Sequence, residues 1–236
     1  MKILWQLVDW IWPNECRLCG GIIDKGAVFC SSCFTDITFI DQPICELCGR
    51  LLPFWIGDKV ICESCVKMPP LFDACRSLFM YNYSSRKIIM KIKKNANADI
   101  AKLCCKMLAV KYQDILKNAD LILPVPSHWT RILKRGYNPA DLIACSLSKI
   151  LEVPVGCLLK RIRKTQYQKN KTINERVENV IGAFSCVGDL SGQTVILVDD
   201  VMTTGSTMNE CSKVLRFCNA MKVVCIAVAS TRGAIS

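Results

Sequence analysis

The residues best suited to chemistry are Asp199 and Asp200, with the turn Thr203-Thr204-Gly205-Ser206-Thr207 close behind them. Adjacent carboxylates accept hydrogen bonds from two neighbouring sugar hydroxyls. The hydroxyls and backbone N–H groups of 203–207 suit a phosphate, because a helix N-terminus offers unpaired donors and a favourable dipole. Gly205 permits close approach or positive φ, and Ser206 suits a helix N-cap. The ligand these residues describe is a ribose carrying a 5′-phosphate. Two elements must position them. Val195–Val198 is a short apolar run expected to form a strand buried on both faces, and Met208–Cys218 has helical periodicity. Ligands of open α/β sheets bind outside such strand ends. Neither a Gly-Lys-Ser/Thr phosphate loop nor a GxGxxG turn is present. A metal held by the Asp pair alone would leave the hydroxyl-rich turn unexplained.

A second chemistry lies near the start of the chain. Eight of the 17 cysteines form four CxxC pairs: Cys16/Cys19, Cys30/Cys33, Cys45/Cys48 and Cys62/Cys65. Each pair is half of a tetrahedral zinc site, so four make two structural Cys₄ sites. Pairing in sequence order gives two ribbons, and an interleaved cross-brace satisfies the metal equally. The remaining cysteines, among them Cys104, Cys105, Cys145, Cys211, Cys218 and Cys225, fall in helical or strand patterns where free cysteine packs as a small apolar residue. No signal peptide is visible, so a reducing cytoplasm is expected and disulfides are not.

The 236 residues carry a formal charge of +11, a balance that favours anionic partners or simple solubility. Leu4, Leu7, Val8 and Ile11 share a helical face ended by Pro13, too short to span a bilayer and expected to dock on the protein. Surface contact with a membrane through Trp5, Trp10 and Trp12 is the lesser reading. The Met68-Pro69-Pro70 break divides the chain into 1–68, which should fold around metal, and 69–236. Beyond it come a basic helix or turn at Ser85–Lys94 and an amphipathic helix over Ile100–Ile115. Ile100, Leu103, Cys104, Met107 and Val110 should face inward on the latter. A buried strand at Leu121–Val125, a helix at Ala140–Leu151 and a polar, mobile loop with some helix at 158–180 follow. The 195–229 stretch reads as a right-handed βαβ unit of a parallel sheet.

Ser127, His128, Arg131, Lys134 and Arg135 follow the 121–125 strand, where a cluster of cations could hold pyrophosphate. His128, the only histidine, is read as a phosphate contact rather than an acid or base. The polar loop 166–176 could close over the site and exclude water. Arg86, Lys87, Lys91, Lys93 and Lys94, with Lys160, Arg161, Arg163, Lys164, Lys169 and Lys171, could follow a nucleic-acid backbone, while Phe54, Trp55 and Tyr167 could stack bases. A solvated charged face explains the same cations.

The 195–207 stretch resembles the phosphoribosyl-pyrophosphate (PRPP) motif of type I phosphoribosyltransferases. Taken with the CxxC array, Lys93, Pro124-Val125-Pro126, Arg135-Gly136-Tyr137-Asn138, Gln168, Arg176 and Asn179, the chain is similar to the ComF family of competence proteins, including the ComFC and GntX types. The resemblance implies an α/β fold: a type I phosphoribosyltransferase-like parallel sheet flanked by helices, preceded by a small Cys-rich zinc-ribbon domain. It implies PRPP bound with Mg²⁺ by Asp199, Asp200, Thr203–Thr207, Ser127, His128, Arg131, Lys134, Arg135, Gln168 and Arg176, with the two acids catalytic. It also implies a role in natural competence, handling single-stranded DNA beside a DNA-translocating helicase. Whether the chain transfers phosphoribose, or binds PRPP and DNA as a non-catalytic adaptor, stays open. Pro139 stands where the family usually has Gln, and Lys171-Thr172 where it has Leu-Ser.

Overall fold

The computed structural model describes residues 14–53, 57, 60–162 and 181–233. Its strands are β1 (Ala74–Met80), β2 (Leu121–Pro124), β3 (Leu159–Arg161), β4 (Phe184–Cys186), β5 (Thr194–Met202) and β6 (Lys222–Ser230). Its helices are α1 (Ser31–Thr35), α2 (Glu63–Lys67), α3 (Tyr83–Asn95), α4 (Ala98–Lys111), α5 (Gln113–Leu116), α6 (Trp129–Arg135), α7 (Pro139–Leu151) and α8 (Ser206–Phe217). Four strands make a wholly parallel sheet in the order β1-β6-β5-β2, and β3 pairs antiparallel with β4 in a small separate sheet.

Alternation along the two central strands divides the core. Ile196 and Val198 of β5, with Val224, Ile226 and Val228 of β6, turn to one face and meet Ile88, Ile92, Ile100, Cys104, Leu108, Ile143 and Leu147 from α3, α4 and α7. Val195, Leu197, Val223, Cys225 and Ala227 turn to the other and meet Met208, Cys211 and Leu215 of α8. The sequence reads as continuously apolar here because a parallel strand covered on both sides has no polar face.

The cysteine-rich segment lies along the open edge of β1. Ile40 N donates to Leu78 O at 3.0 Å, Met80 N to Thr38 O at 2.9 Å and Cys75 N to Leu47 O at 2.7 Å. These bonds occupy backbone groups that an uncovered edge strand would leave open to another chain. Cys16, Phe29 and Ile37 pack into the core on the α4 face, whereas Cys45, Cys48, Cys62 and Cys65 pack into the core on the α8 face. The segment thus straddles the sheet edge, one cysteine cluster to each side. Arg76 on β1 fastens the Cys45–Cys48 knuckle, donating to Glu46 O at 2.7 Å and pairing with the Glu46 carboxylate at 3.0 Å.

Several expectations need correction. β1 was not anticipated from the sequence. Residues 159–161, read as part of a polar loop, form β3, because Leu159 is buried and its backbone pairs with Cys186. Val110, expected inward, is 80 % exposed. The buried stripe of α4 runs through Ile100, Ala101, Cys104, Cys105, Leu108 and Ala109, and Val110 lies about 200° around the helix from Leu108. Cys145 is exposed and Cys218 half-buried, unlike the fully buried Cys104, Cys105, Cys211 and Cys225. Pro139 leaves α7 intact: it occupies the first turn, where a missing N–H costs nothing, and Asn138 caps the helix. The expected helix before Pro13, the Phe54-Trp55 pair and residues 163–180 lie outside the described residues.

Candidate functional site: an acid pair and a hydroxyl-rich turn at the sheet edge

Asp199 and Asp200 stand at the carboxyl end of β5, where the strand is no longer fully covered. Asp199 Oδ1 accepts from the Asp200 backbone N–H at 2.8 Å, which orients the first acid against the second. Burial, with Asp200 beside it, pushes the Asp199 carboxyl up from 3.8 to about 7. Lys93 Nζ, reaching in from the last turn of α3, lies 2.9 Å from Asp200 Oδ1, and both side chains are largely buried. Lys93 therefore belongs with the acids rather than with the exposed Arg86, Lys87 and Lys94 on the outer face of α3. Lys87 sits 4.6 Å from the Tyr83 ring centre.

The next residues form the expected turn. Gly205 takes φ of +79° as N-cap of α8, so Ser206 is the first helical residue and not the cap. The Ser206 hydroxyl lies 2.7 Å from Thr204 Oγ1, which also accepts from Ser206 N at 3.3 Å. Thr203, Thr204, Ser206 and Thr207 are half-buried. Arg232, just past β6, donates to the Thr204 carbonyl from behind the loop. This contact was missed in the sequence. The signal was available: β6 runs parallel beside β5, so whatever follows β6 arrives next to whatever follows β5.

His128 is buried and caps α6, its Nδ1 accepting from Thr130 N at 3.3 Å and lying 2.8 Å from Thr130 Oγ1. Arg131 is within electrostatic reach of Asp199, and so is Arg161 at the end of β3. Arg161 rests 5.1 Å from the Phe184 ring centre, and burial followed by the nearness of Arg131 lowers its pKa. Sequence order alone places Arg161 among the surface cations, whereas the pairing of β3 with β4 brings it within electrostatic reach of Asp199. Lys134 and Arg135 are exposed in the last turn of α6, where cations favour the helix carboxyl end. Ser127 donates to Asn138 Oδ1 at 2.8 Å, and Asn138 Nδ2 returns a bond to Val125 O at 3.1 Å, tying the start of α7 to the end of β2. Tyr137 Oη donates to Ile92 O and accepts from Ala96 N at 2.8 Å, fixing the end of the helix that carries Lys93. Gln168 and Arg176 lie outside the described residues.

The cysteines assemble in sequence order: Cys16, Cys19, Cys30 and Cys33 in one cluster, Cys45, Cys48, Cys62 and Cys65 in the other. Within each cluster all four sulfurs lie within 4.8 Å of one another. The interleaved arrangement is thereby excluded. The Cys19–Cys30 and Cys48–Cys62 sulfur separations are both 3.7 Å. Tetrahedral Zn–S bonds of about 2.3 Å require a separation near ~3.8 Å, and a disulfide about 2.05 Å. The clusters therefore fit two Cys₄ zinc sites. Backbone N–H groups of Cys30 and Cys62 point at the Cys16 and Cys45 sulfurs at 3.3 Å each, favouring thiolate in the knuckles.

Comparison with known proteins accords with this geometry. The double zinc ribbon domain family matches residues 7–66, and the phosphoribosyl transferase domain family matches residues 95–234. Competence protein F of Haemophilus influenzae is 33% identical over 196 residues, covering 79% of this chain and 83% of that protein. The chain belongs to the ComF family. The DNA utilization protein YhgH of Escherichia coli K12 is 28% identical, covering 86% of this chain and 91% of its own. Competence protein ComFC of Bacillus subtilis is 26% identical, covering 79% and 77%. This ComF-family protein has the type I phosphoribosyltransferase fold and a double zinc ribbon, and is competence-related. Among the described residues no helix is long and apolar enough to cross a membrane.

Proposed function

We propose that the protein binds PRPP together with Mg²⁺ at the carboxyl edge of the sheet and serves in the handling of imported single-stranded DNA in the cytoplasm. One observation carries the reading: the acid pair, with Lys93 on Asp200, leads directly into a hydroxyl-rich turn at the N-terminus of a 12-residue helix. Asp199 and Asp200 would hold the ribose hydroxyls, and 203–207 the 5′-phosphate. Arg131 would meet pyrophosphate, with Ser127 and the His128 ring holding the β2–α6 turn that presents it. Lys134, Arg135, Gln168 and Arg176 complete the proposed set. Hard oxygen donors on the acids and on pyrophosphate suit Mg²⁺, which would offset the charge of a departing pyrophosphate.

Equilibrium binding of PRPP with and without Mg²⁺ tests the site, and the Asp199→Asn, Asp200→Asn double variant should abolish it. Pyrophosphate release, assayed with a panel of bases and with single-stranded DNA, distinguishes a transferase from an adaptor. Tight binding without turnover supports the adaptor. The outer face of α3, with Arg86, Lys87, Lys91 and Lys94 and with Lys87 over the Tyr83 ring, supports a DNA contact, as does the similarity to YhgH, a DNA utilization protein. Affinity for single-stranded DNA should then fall steeply with salt, less so after Lys87→Gln and Lys91→Gln. A pull-down with the DNA-translocating helicase of the competence machinery tests the proposed partner.

A further inference from the structure

Lys93 reaches the acid pair from a helix that other parts of the fold fix at both ends. At the start of α3, Asn82 and Ser85 cap each other: Ser85 N donates to Asn82 Oδ1 at 2.9 Å and Asn82 N to Ser85 Oγ at 2.8 Å. Asn82 Nδ2 also donates to Thr38 Oγ1 at 3.0 Å, which ties the cap to the cysteine-rich segment. At the other end, Ala96 turns left-handed at φ +45°, and its N–H is taken at 2.8 Å by the same Tyr137 hydroxyl that donates to Ile92 O. Between the two ends Ile88, Ile89 and Ile92 are buried, which sets the rotation of the helix. Lys93 follows Ile89 by four residues and shares its face, so the stem is covered while the ammonium emerges at the strand end. Lys93 Nζ meets Asp200 Oδ1 at 2.9 Å, with 23% of the lysine side chain and 13% of the aspartate side chain exposed. A lysine held in this way has already given up rotamer freedom that it would otherwise lose when a ligand binds.

The acids divide their oxygens. Asp199 Oδ1 accepts from Asp200 N at 2.8 Å and Asp200 Oδ1 takes Lys93, while the second oxygen of each makes no hydrogen bond or ion pair among the described residues. Neighbouring carboxylates repel each other, and an arriving phosphate adds to the repulsion, so a cation has to offset it. A divalent metal would do so, but an ammonium already stands on one carboxylate. We propose that Lys93 sets the metal requirement of this site: its ammonium takes the place of a divalent cation on Asp200, so that a ribose monophosphate is held without metal. The proposal rests on the reading of Asp199, Asp200 and 203–207 as a ribose phosphate site. The second oxygens of the two acids then meet the sugar hydroxyls. Mg²⁺ is called on only when pyrophosphate brings negative charges that one ammonium does not offset.

The test is calorimetry on the full-length, zinc-loaded protein with ribose 5-phosphate as probe, in buffer depleted of free divalent ions and again with Mg²⁺ added. Wild type should bind with the same affinity, within about 2-fold, in both, and should bind 2-deoxyribose 5-phosphate about 10-fold more weakly. Lys93→Met should lose about 10-fold or more in the depleted buffer and regain most of it with Mg²⁺. Lys93→Arg keeps the charge and should stay indifferent to the metal. A merely structural role for Lys93 would weaken binding equally in both buffers, so rescue by Mg²⁺ is the discriminating readout. If Lys93→Met does not fold, Lys93→Gln takes its place, since it can still donate to Asp200 without carrying charge, and it should show the same metal dependence. Wild type that binds ribose 5-phosphate only with Mg²⁺ overturns the role of Lys93 and leaves the ribose phosphate site standing. A neutral variant that binds unchanged, or that Mg²⁺ does not rescue, does the same. A probe that binds in neither buffer, or no better than its 2-deoxy form, overturns the site reading and the proposal with it.

Discussion

Replacing Asp199 by Asn should make the protein more stable at neutral pH while disabling its site. The carboxyl is pushed up to about 7 by burial first and by Asp200 second, against an ordinary 3.8. The folded state therefore binds a proton more readily than the unfolded chain. Stability from this group is complete below about pH 4, falls as pH rises, and levels off above about 7. At ~1.4 kcal/mol per pH unit, that interval caps the strain of the ionised acid at about 4 kcal/mol. An Asn has no charge to desolvate and can still accept the Asp200 N–H bond, so it escapes the strain. Urea unfolding of wild type and Asp199→Asn across pH 5 to 8 reads the effect, with zinc present throughout so that thiolate titration is common to both. The stability gap in favour of Asn should widen by ~2 kcal/mol over that range and stop widening above about pH 7. A gap independent of pH would mean that Asp199 ionises normally and that its burial beside Asp200 has been misjudged.

Three further outcomes follow from the same structure. Metal analysis should find two zinc ions per chain; Cys48→Ser should lose one and cost more stability than Cys19→Ser, because Cys48 is buried and Cys19 exposed. Tyr137→Phe should cost ~1–2 kcal/mol in urea unfolding, since it removes the hydroxyl that joins Ile92 O to Ala96 N, and should weaken PRPP binding by loosening Lys93. Gly205→Ala should cost ~1–2 kcal/mol and weaken ribose 5-phosphate binding in calorimetry, because the residue sits at φ +79° and a Cβ would stand 3.2 Å from Met202 Cε.

The legible parts of this protein were local ones. Val195–Val198, the acids after it and the turn before α8 are contiguous, and each imposes its own conformation or chemistry on a few neighbours. The CxxC pairs are legible for the same reason: two thiols on one tight knuckle need no distant residue to point the same way. The turn's cap was misassigned by one residue, since Gly205 alone can take the positive φ that opens the helix. β1 escaped notice because Ala74-Cys75-Arg76-Ser77 does not read as an apolar strand; Arg76 is buried there only because Glu46, from the cysteine-rich segment, meets it. His128 caps α6 through Nδ1, a use that its identity alone does not reveal.

Sequence by itself determined the strand, the acid pair, the hydroxyl-rich turn and the supply of eight metal-ligating thiols. Tertiary structure alone decided that the thiols group in sequence order, that their two clusters lie on opposite faces of one sheet edge, and that Lys93, Arg161 and Arg232 converge on the strand end. The physical reason is the parallel sheet. Strands that run side by side in the same direction must be joined by long crossovers, so residues that meet at their carboxyl ends are far apart along the chain, and only the folded register brings their charges together.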